Sequence, residues 1–282
     1  MTDLTSAPPA RSRPVAVDWV TIPAGPFTMG CDEIRPDGRP VAAYPAHTVD
    51  VPAFRIARTP VSVAEFARFA EETSYVTTAE RKGGSWVWLG GEDTTTPDQD
   101  HLWAEVEGAS WRTPRGPGTD VADKADHPVT HVSRPDCLAY CAWSGTRLPT
   151  EAEWEMAARG TDGRQYVWGD APPTPDVCNH SMFVGDTTPI GRYPAAAGPF
   201  GLADVIGNVW EWAATKWHLF PYDETKPART VRLRSGPVEL GVVRGGSFYN
   251  NCSPSGTAAW VRVYSHPEYT SYDIGFRVCA VG

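Results

Sequence analysis

The chain has 282 residues, 41% of them hydrophobic, enough to bury a sizeable core in one large domain or two small ones. Its 25 basic and 34 acidic residues leave a net charge of -9, which argues against a nucleic-acid partner, because backbone phosphates need a positive surface. No run approaches the roughly 18 apolar residues of a membrane span. Met1-Thr2-Asp3-Leu4 lacks the basic and apolar stretches of a secretion signal, so no membrane partner and a cytoplasmic setting are expected.

Twelve Trp, 26 Gly and 27 Pro predict irregular structure held by aromatic packing. Six cysteines in so long a chain form no disulfide framework, and no CxxC or HExxH spacing marks a zinc site. Residues 1–16, rich in Pro, Ala and Arg, read as a disordered tail ahead of a single domain over 17–282. Asp18 to Pro23 alternates as a strand, Gly25-Pro26 turns it into Phe27 to Gly30, and His47 to Ile56 reads as one further strand.

Three capping boxes then mark helix starts. They are Ser62 with Glu65, Ser133 with Asp136, and Thr150 with Glu153; Gly145 and Gly160 stop the second and third helices. Residues 75–130 read as a long loop region pinned by Trp86, Trp88, Trp103 and Trp111. Tyr166 to Asp170 reads as a strand end and turn, and Gly207 to Trp212 as a tight turn entering an aromatic strand. Residues 219–240 look charged and irregular, Val242-Val243-Arg244 reads as a strand, and a last strand covers Gly275 to Val278. The glycine pair in Arg244-Gly245-Gly246-Ser247-Phe248 implies a sharp turn or a close backbone approach, delivering the polar loop 249–253.

In order, the motifs are Pro23 to Gly30, His127 to Ser133, Arg147 to Gly160, Tyr166 to Asp170, Gly207 to Trp212, Arg244 to Phe248 and Gly275-Phe276-Arg277. This set resembles the formylglycine-generating enzyme (sulfatase-modifying factor) family over nearly the whole chain. The resemblance implies an α+β fold, the formylglycine-generating-enzyme variant of the C-type-lectin fold, with little regular secondary structure. It also implies a choice of chemistries, since the family includes copper-dependent oxidases, parts of iron-dependent sulfoxide synthases, and members without known activity.

Carried over residue by residue, the family's two copper(I) cysteines fall on Asn250 and Ser255. Soft thiolates are what suit copper(I), so both ligands are missing. Cys252 lies nearby but out of register, and reads equally as a small loop residue. Trp210 and Ser247 match positions lining the family's oxygen and substrate pocket; core packing and turn bracing are the alternatives. His266 is a candidate ligand or general base reaching that pocket, or a plain surface residue.

A structural calcium site is implied at Asp204, Glu211 and the carbonyls of Gly207 and Val209, the alternative being a hydrogen-bonded carboxylate pair that braces the turn. A second would use Asn179, the His180 carbonyl and an acidic residue near Asp186. His47, His127 and His131 read as structural residues. Cys137 and Cys141 share a helix face without facing each other, and Cys279 sits one residue away from the position that pairs with Cys141 in secreted relatives, so free thiols are expected.

Two functional readings follow. One is an oxygen-dependent oxidoreductase using copper or iron to tailor a peptide, amino acid or small molecule, held between the Trp86 to Trp111 region and loop 249–256. The other is a non-catalytic, lectin-like scaffold for a ligand or protein partner.

Overall fold

The computed structural model describes residues 16–90, 103–223, 225–233, 236–250 and 254–282. The tail expected over 1–16 lies, except for its last residue, outside them.

Strand β1 (Trp19–Ile22) is followed by β2 (Gly25–Met29), β3 (His47–Val51) and β4 (Phe54–Ala57). The stretch from His47 to Ile56, expected as one strand, is therefore two. Pro52 has no N–H for a ladder, and there the chain leaves one sheet for another: β3 pairs antiparallel with β2, β4 with β1. Helix α1 (Val63–Thr73) starts at its Ser62–Glu65 capping box.

The region 75–130 is more ordered than its composition suggests. It contains helix α2 (Thr78–Lys82) and the antiparallel ribbon β5 (Gly84–Trp88) and β6 (Trp103–Glu107). The Thr77-x-x-Glu80 capping box of α2 was present in the sequence and went unread.

Helices α3 (Arg134–Ser144) and α4 (Glu151–Arg159) begin at the predicted boxes and end at Gly145 and Gly160, with β7 (Thr146–Arg147) between them. Strand β8 (Trp210–Lys216) follows the Gly207-Asn208 turn. The supposedly irregular 219–240 segment holds the ribbon β9 (Thr230–Leu233) and β10 (Gly236–Glu239). The rest is β11 (Gly241–Arg244), α5 (Pro254–Thr257), β12 (Arg262–Ser265), β13 (Ile274–Gly275) and β14 (Cys279–Ala280). Of the last strand expected over 275–278 only Gly275 is in a strand, β13; Phe276 to Val278 connect it to β14, which serves the other sheet.

Two four-stranded sheets, in the orders β1-β4-β14-β7 and β12-β11-β8-β13, flank the core. The β13–β8 pair is parallel and the others antiparallel. An aromatic cluster fills one side of the core, with Phe66 against Phe69, Trp111, Tyr140 and Phe276. Cys31, Cys137, Cys141, Cys178 and Cys279 are buried free thiols.

Every residue of α4 is buried, its carboxylates included. Such carboxylates need cationic partners on the packing elements. Arg262 of β12 grips Glu151 with Nε and Nη2 at 2.6 and 2.8 Å, and Arg244 of β11 reaches Glu151 and Glu155 at 2.8 and 2.6 Å. Arg159, one turn along α4, donates to Glu155 at 3.1 Å, and the Gly30 N–H donates to the same oxygen at 2.7 Å. Burial alone would raise the Glu151 carboxyl, but Arg262 and Arg244 outweigh it and hold the group below its ordinary range. A second buried pair joins Glu211 of β8 to Arg277 through bonds of 2.7 Å on both carboxylate oxygens.

His131 is fully buried with φ +58°. Its Nε2–H donates to the Pro114 carbonyl at 2.9 Å, and Nδ1 sits 2.8 Å from the Ser85 hydroxyl. It thus ties the 108–120 loop to the β5 ribbon. Burial pushes its pKa down to about 3.

Two outcomes are expected. Glu151→Gln leaves two buried guanidiniums short of charge and should cost about 3–5 kcal/mol in urea unfolding. For His131, the unfolded chain accepts a proton below its ordinary pKa of 6.5 that the folded chain refuses until about 3. Stability contributed by the neutral ring is present above 6.5 and falls by about 1.4 kcal/mol per pH unit as the pH drops below it. Urea unfolding between pH 7 and 5 should show that slope, and His131→Asn should lose that part of it.

Candidate functional site

The platform of the site is the turn that ends β11. Gly245 and Gly246 have φ of +96° and +74°, in the left-handed region open to glycine. A Cβ on Gly245 would sit 2.6 Å from the Val205 carbonyl, and one on Gly246 2.7 Å from the Gly256 carbonyl. Both a positive φ and a close backbone approach are therefore required here. Arg244, clamped to α4, fixes where the turn begins.

Ser247 and Asn250 lock the turn. The Ser247 N–H donates to Asn250 Oδ1 at 2.8 Å, and the Asn250 N–H donates to the Ser247 carbonyl at 3.1 Å. The Ser247 hydroxyl lies 2.9 Å from Asn250 Oδ1 and 2.9 Å from Asp273 Oδ2. Asp273 Oδ1 accepts from the Ser271 hydroxyl at 2.6 Å, and the Asp273 carbonyl accepts the Trp210 N–H at 2.8 Å.

Asn250 Oδ1 is oriented by the Ser247 N–H, so the amide cannot flip to supply a proton. The Ser247 hydroxyl therefore divides its donation between Asn250 Oδ1 and Asp273 Oδ2. Burial pushes the Asp273 pKa up, and the Ser271 and Ser247 hydroxyls pull it back only in part.

Asn250 and Asp273 open onto a cavity of about 410 Å³. Its walls are Trp103 of β6, Trp210 of β8, Tyr249, Tyr264 of β12 and Tyr269, with Val243 and Ile274 beneath. Trp103 and Trp88 pack against Tyr249 with ring centroids 5.4 and 4.7 Å apart, so the tryptophan-rich hairpin and the 245–250 turn meet at this wall. Tyr269 is pushed up to about 12 by burial and by the neighbouring Asp273.

Of the residues singled out from the sequence, Trp210, Ser247 and Asn250 converge here, with Ser247 buried behind the lining. Cys252 lies outside the described residues, and Ser255 falls in α5. His266 does not line the cavity: its Nδ1 accepts the Glu268 N–H at 3.1 Å, and its carbonyl accepts the Tyr269 N–H. That turn brings Tyr269 to the cavity in its place. Asp273, Tyr249, Tyr264 and Tyr269 were missed. Asp273 and Ser271 stand on either side of Tyr272 just before Gly275-Phe276-Arg277, but nothing in that spacing says which way a carboxyl points.

The donor set does not fit copper(I). Asn250 holds a hard amide oxygen committed to Ser247 where a thiolate is needed. Among the described residues, no group of three or more His, Cys, Asp or Glu side chains is gathered to hold an ion.

At the first calcium position, Glu211 gives one oxygen to Trp154 Nε1 and Arg277 Nε, each at 2.7 Å, and the other to Arg277 Nη2. Asp204 accepts the Gly191 N–H at 2.6 Å, and burial pushes its pKa up to about 6. Gly207 and Val209 flank Asn208 in the turn between them. Glu211 is thus already neutralised by Arg277, which leaves this set poorly matched to a divalent cation. The Asn179 position differs. Its Oδ1 and the Thr188 hydroxyl are buried with no hydrogen-bond partner among the described residues. Both residues hang on the Asn208 amide, through bonds of 3.2 and 2.9 Å to Asn208 Oδ1. His180, beside Asn179, is buried, and its carbonyl accepts the Phe183 N–H at 3.1 Å. Unpartnered hard oxygens fit a hard cation.

The family model described as "Sulfatase-modifying factor enzyme 1-like domain" matches residues 5–281. A formylglycine-generating enzyme of Thermomonospora curvata is 38% identical, over 96% of this chain and 96% of its own length. The inactive C-alpha-formylglycine-generating enzyme 2 of Bos taurus is 35% identical, over 94% of this chain and 88% of its own. Among solved structures, PvdO from Pseudomonas aeruginosa superposes with a TM-score of 0.62 at 24% identity, covering 95% of this chain and 99% of that one, a likeness of fold.

Proposed function

The chain belongs to the sulfatase-modifying factor, or formylglycine-generating enzyme, family, and from that premise we propose that it is an oxygen-dependent oxidoreductase that tailors a peptide, an amino acid or another small molecule and does not activate sulfatases. The observation that carries this reading is the state of the pocket. The aromatic walls and Trp210 are in place over a buried acid, while the first copper(I) position is an asparagine turned onto Ser247.

In this reading Trp103, Tyr249, Tyr264 and Tyr269 bind and orient the substrate and exclude water. Ser247 holds Asn250 and Asp273 in place, and Asp273 presents its carboxyl at the cavity floor. The oxidising equivalents come from dioxygen, as in the family's oxidases, and no step is drawn through copper. The setting is cytoplasmic, in keeping with the free thiols; among the described residues no helix is long and apolar enough to cross a membrane.

The replaced copper position also favours a second reading, a non-catalytic, lectin-like scaffold using the same cavity to bind a ligand. A bovine relative of comparable identity carries the description inactive. Structural calcium, held by Asn179 Oδ1 and the His180 carbonyl, serves either reading by bracing the loop whose Ser181 and Met182 N–H groups donate to the Asn250 and Phe248 carbonyls.

Two experiments bear on this. Loaded with copper(I) and desalted, the wild type should retain no stoichiometric copper and form no formylglycine on a sulfatase-motif peptide by mass spectrometry. The Asn250→Cys, Ser255→Cys double variant should retain about one copper; stoichiometric copper on the wild type would overturn the exclusion of sulfatase activation. Oxygen uptake with small thiols, amines and peptides that Trp210→Ala abolishes supports the enzyme, whereas no uptake with any of them leaves the scaffold. For calcium, an ion at 100 times its Kd adds about 2.7 kcal/mol of stability. Calcium should therefore raise the melting temperature of the wild type over its value in chelator and leave Asn179→Ala unmoved.

A further inference from the structure

The cavity beside Asn250 has a one-sided chemistry. Five aromatic side chains, Trp103, Trp210, Tyr249, Tyr264 and Tyr269, surround one ionisable acid, Asp273. Among the described residues no lysine, arginine or histidine lines it, and the chain carries a net charge of -9. Aromatic faces attract cations through their quadrupoles, and the attraction grows when the cation is desolvated. A single carboxyl at the floor of such a box is matched by a positive charge and opposes a negative one. At about 410 Å³ the space is that of a small-molecule site, roughly 300–1,000 Å³ in known proteins.

We propose that this cavity binds an organic ammonium ion, a free small molecule or the charged end of a larger substrate, with the aromatic side chains around the charge and Asp273 as its counter-ion. The proposal rests on the reading of this cavity as the substrate site and names the substrate's class.

Charge and proton balance follow from the geometry. In the empty cavity burial favours the protonated, neutral form of Asp273, while the Ser247 and Ser271 hydroxyls favour the carboxylate. An entering ammonium favours the carboxylate, so the proton held on the acid form passes to solvent and the Ser247 hydroxyl stays as donor to the carboxylate. One positive charge comes in and one leaves, so the cavity stays neutral in both states. Among the described residues the titratable side chains that share the cavity with Asp273 are Tyr249, Tyr264 and Tyr269, and Tyr269 is coupled to it electrostatically. Trp210 from β8 and Ser247 and Asn250 from the turn after β11 also face it and do not titrate. The cation should therefore bind more tightly as the pH rises, until Asp273 is ionised in the free protein as well.

The test uses choline and its neutral isostere 3,3-dimethylbutan-1-ol, which share a shape and differ in charge. Calorimetry on the full chain should show choline binding at least tenfold more tightly than the alcohol at pH 7.5. It should also show release of up to one proton per ion, read from buffers of different ionisation enthalpy. Asp273→Asn should lose at least tenfold in affinity for choline, release no proton and bind the alcohol within about twofold of the wild type. Ser271→Ala keeps the carboxyl but removes a hydroxyl bonded to it. It should move the pH midpoint of choline binding upward, and it serves as the check if Asp273→Asn fails to fold. Equal affinity for choline and the alcohol, or a Ser271→Ala midpoint that does not move, would overturn the proposal. Choline bound without oxygen uptake on any ammonium substrate would leave the proposal standing and remove the enzyme. Oxygen uptake confined to uncharged substrates would do the reverse.

Discussion

The structure depends on buried charge matched across elements distant in sequence. Helix α4 is buried on every side and carries Glu151 and Glu155 with no exposure at all. Their partners Arg244 and Arg262 come from adjacent strands of one sheet and are buried as deeply, while Arg159 closes the network from the helix itself. Replacing such a lattice by apolar groups of the same shape is often neutral, but removing one member leaves an uncompensated charge. The lattice therefore acts less as a source of net stability than as a fixed registration of α4 against β11 and β12. Cation–π contacts reinforce it, with Arg244 over Trp154 and Arg262 between Trp217 and Phe220.

That registration positions the site. Arg244 is the last residue of β11 and the first of the glycine turn, so its clamp on α4 determines where Ser247 and Asn250 begin. On the other side, the Glu211–Arg277 pair ties β8, which carries Trp210, to the segment following β13, the strand that Asp273 immediately precedes. The β5–β6 ribbon closes the box with Trp103 on Tyr249. Three unrelated stretches are thus brought to one cavity by two buried ionic clusters and an aromatic contact. The Asn250 amide, held by Ser247, gives the cavity a hydrogen-bonded floor.

Much of this was legible along the chain. The three helices named from Ser62, Ser133 and Thr150 lie where their capping boxes put them, because a cap is a local interaction among four residues. The Thr77 box of α2 was equally local and was passed over among turn-forming residues. The His47 to Ile56 stretch and the Gly275 to Val278 stretch were each read as one strand. Alternation shows that a segment is extended and is silent on which sheet it joins. Trp210, Ser247 and Asn250 were located by motif register, and the structure gathers them at one place. His266 is not among the residues lining the cavity, and its ring is engaged by the turn to Tyr269, which the chain that follows it sets.

The sequence by itself determined the family and the α+β fold with its capped helices, since these are matters of residue type at fixed local spacing. Only the tertiary structure decided that Asp273 and Ser247 are hydrogen-bonded beneath an aromatic box, that Glu211 is already neutralised by Arg277, and that Asn179 Oδ1 is left without a partner. Each depends on groups dozens of residues apart being desolvated together, and burial is a property of the packed chain, which spacing along the sequence does not encode.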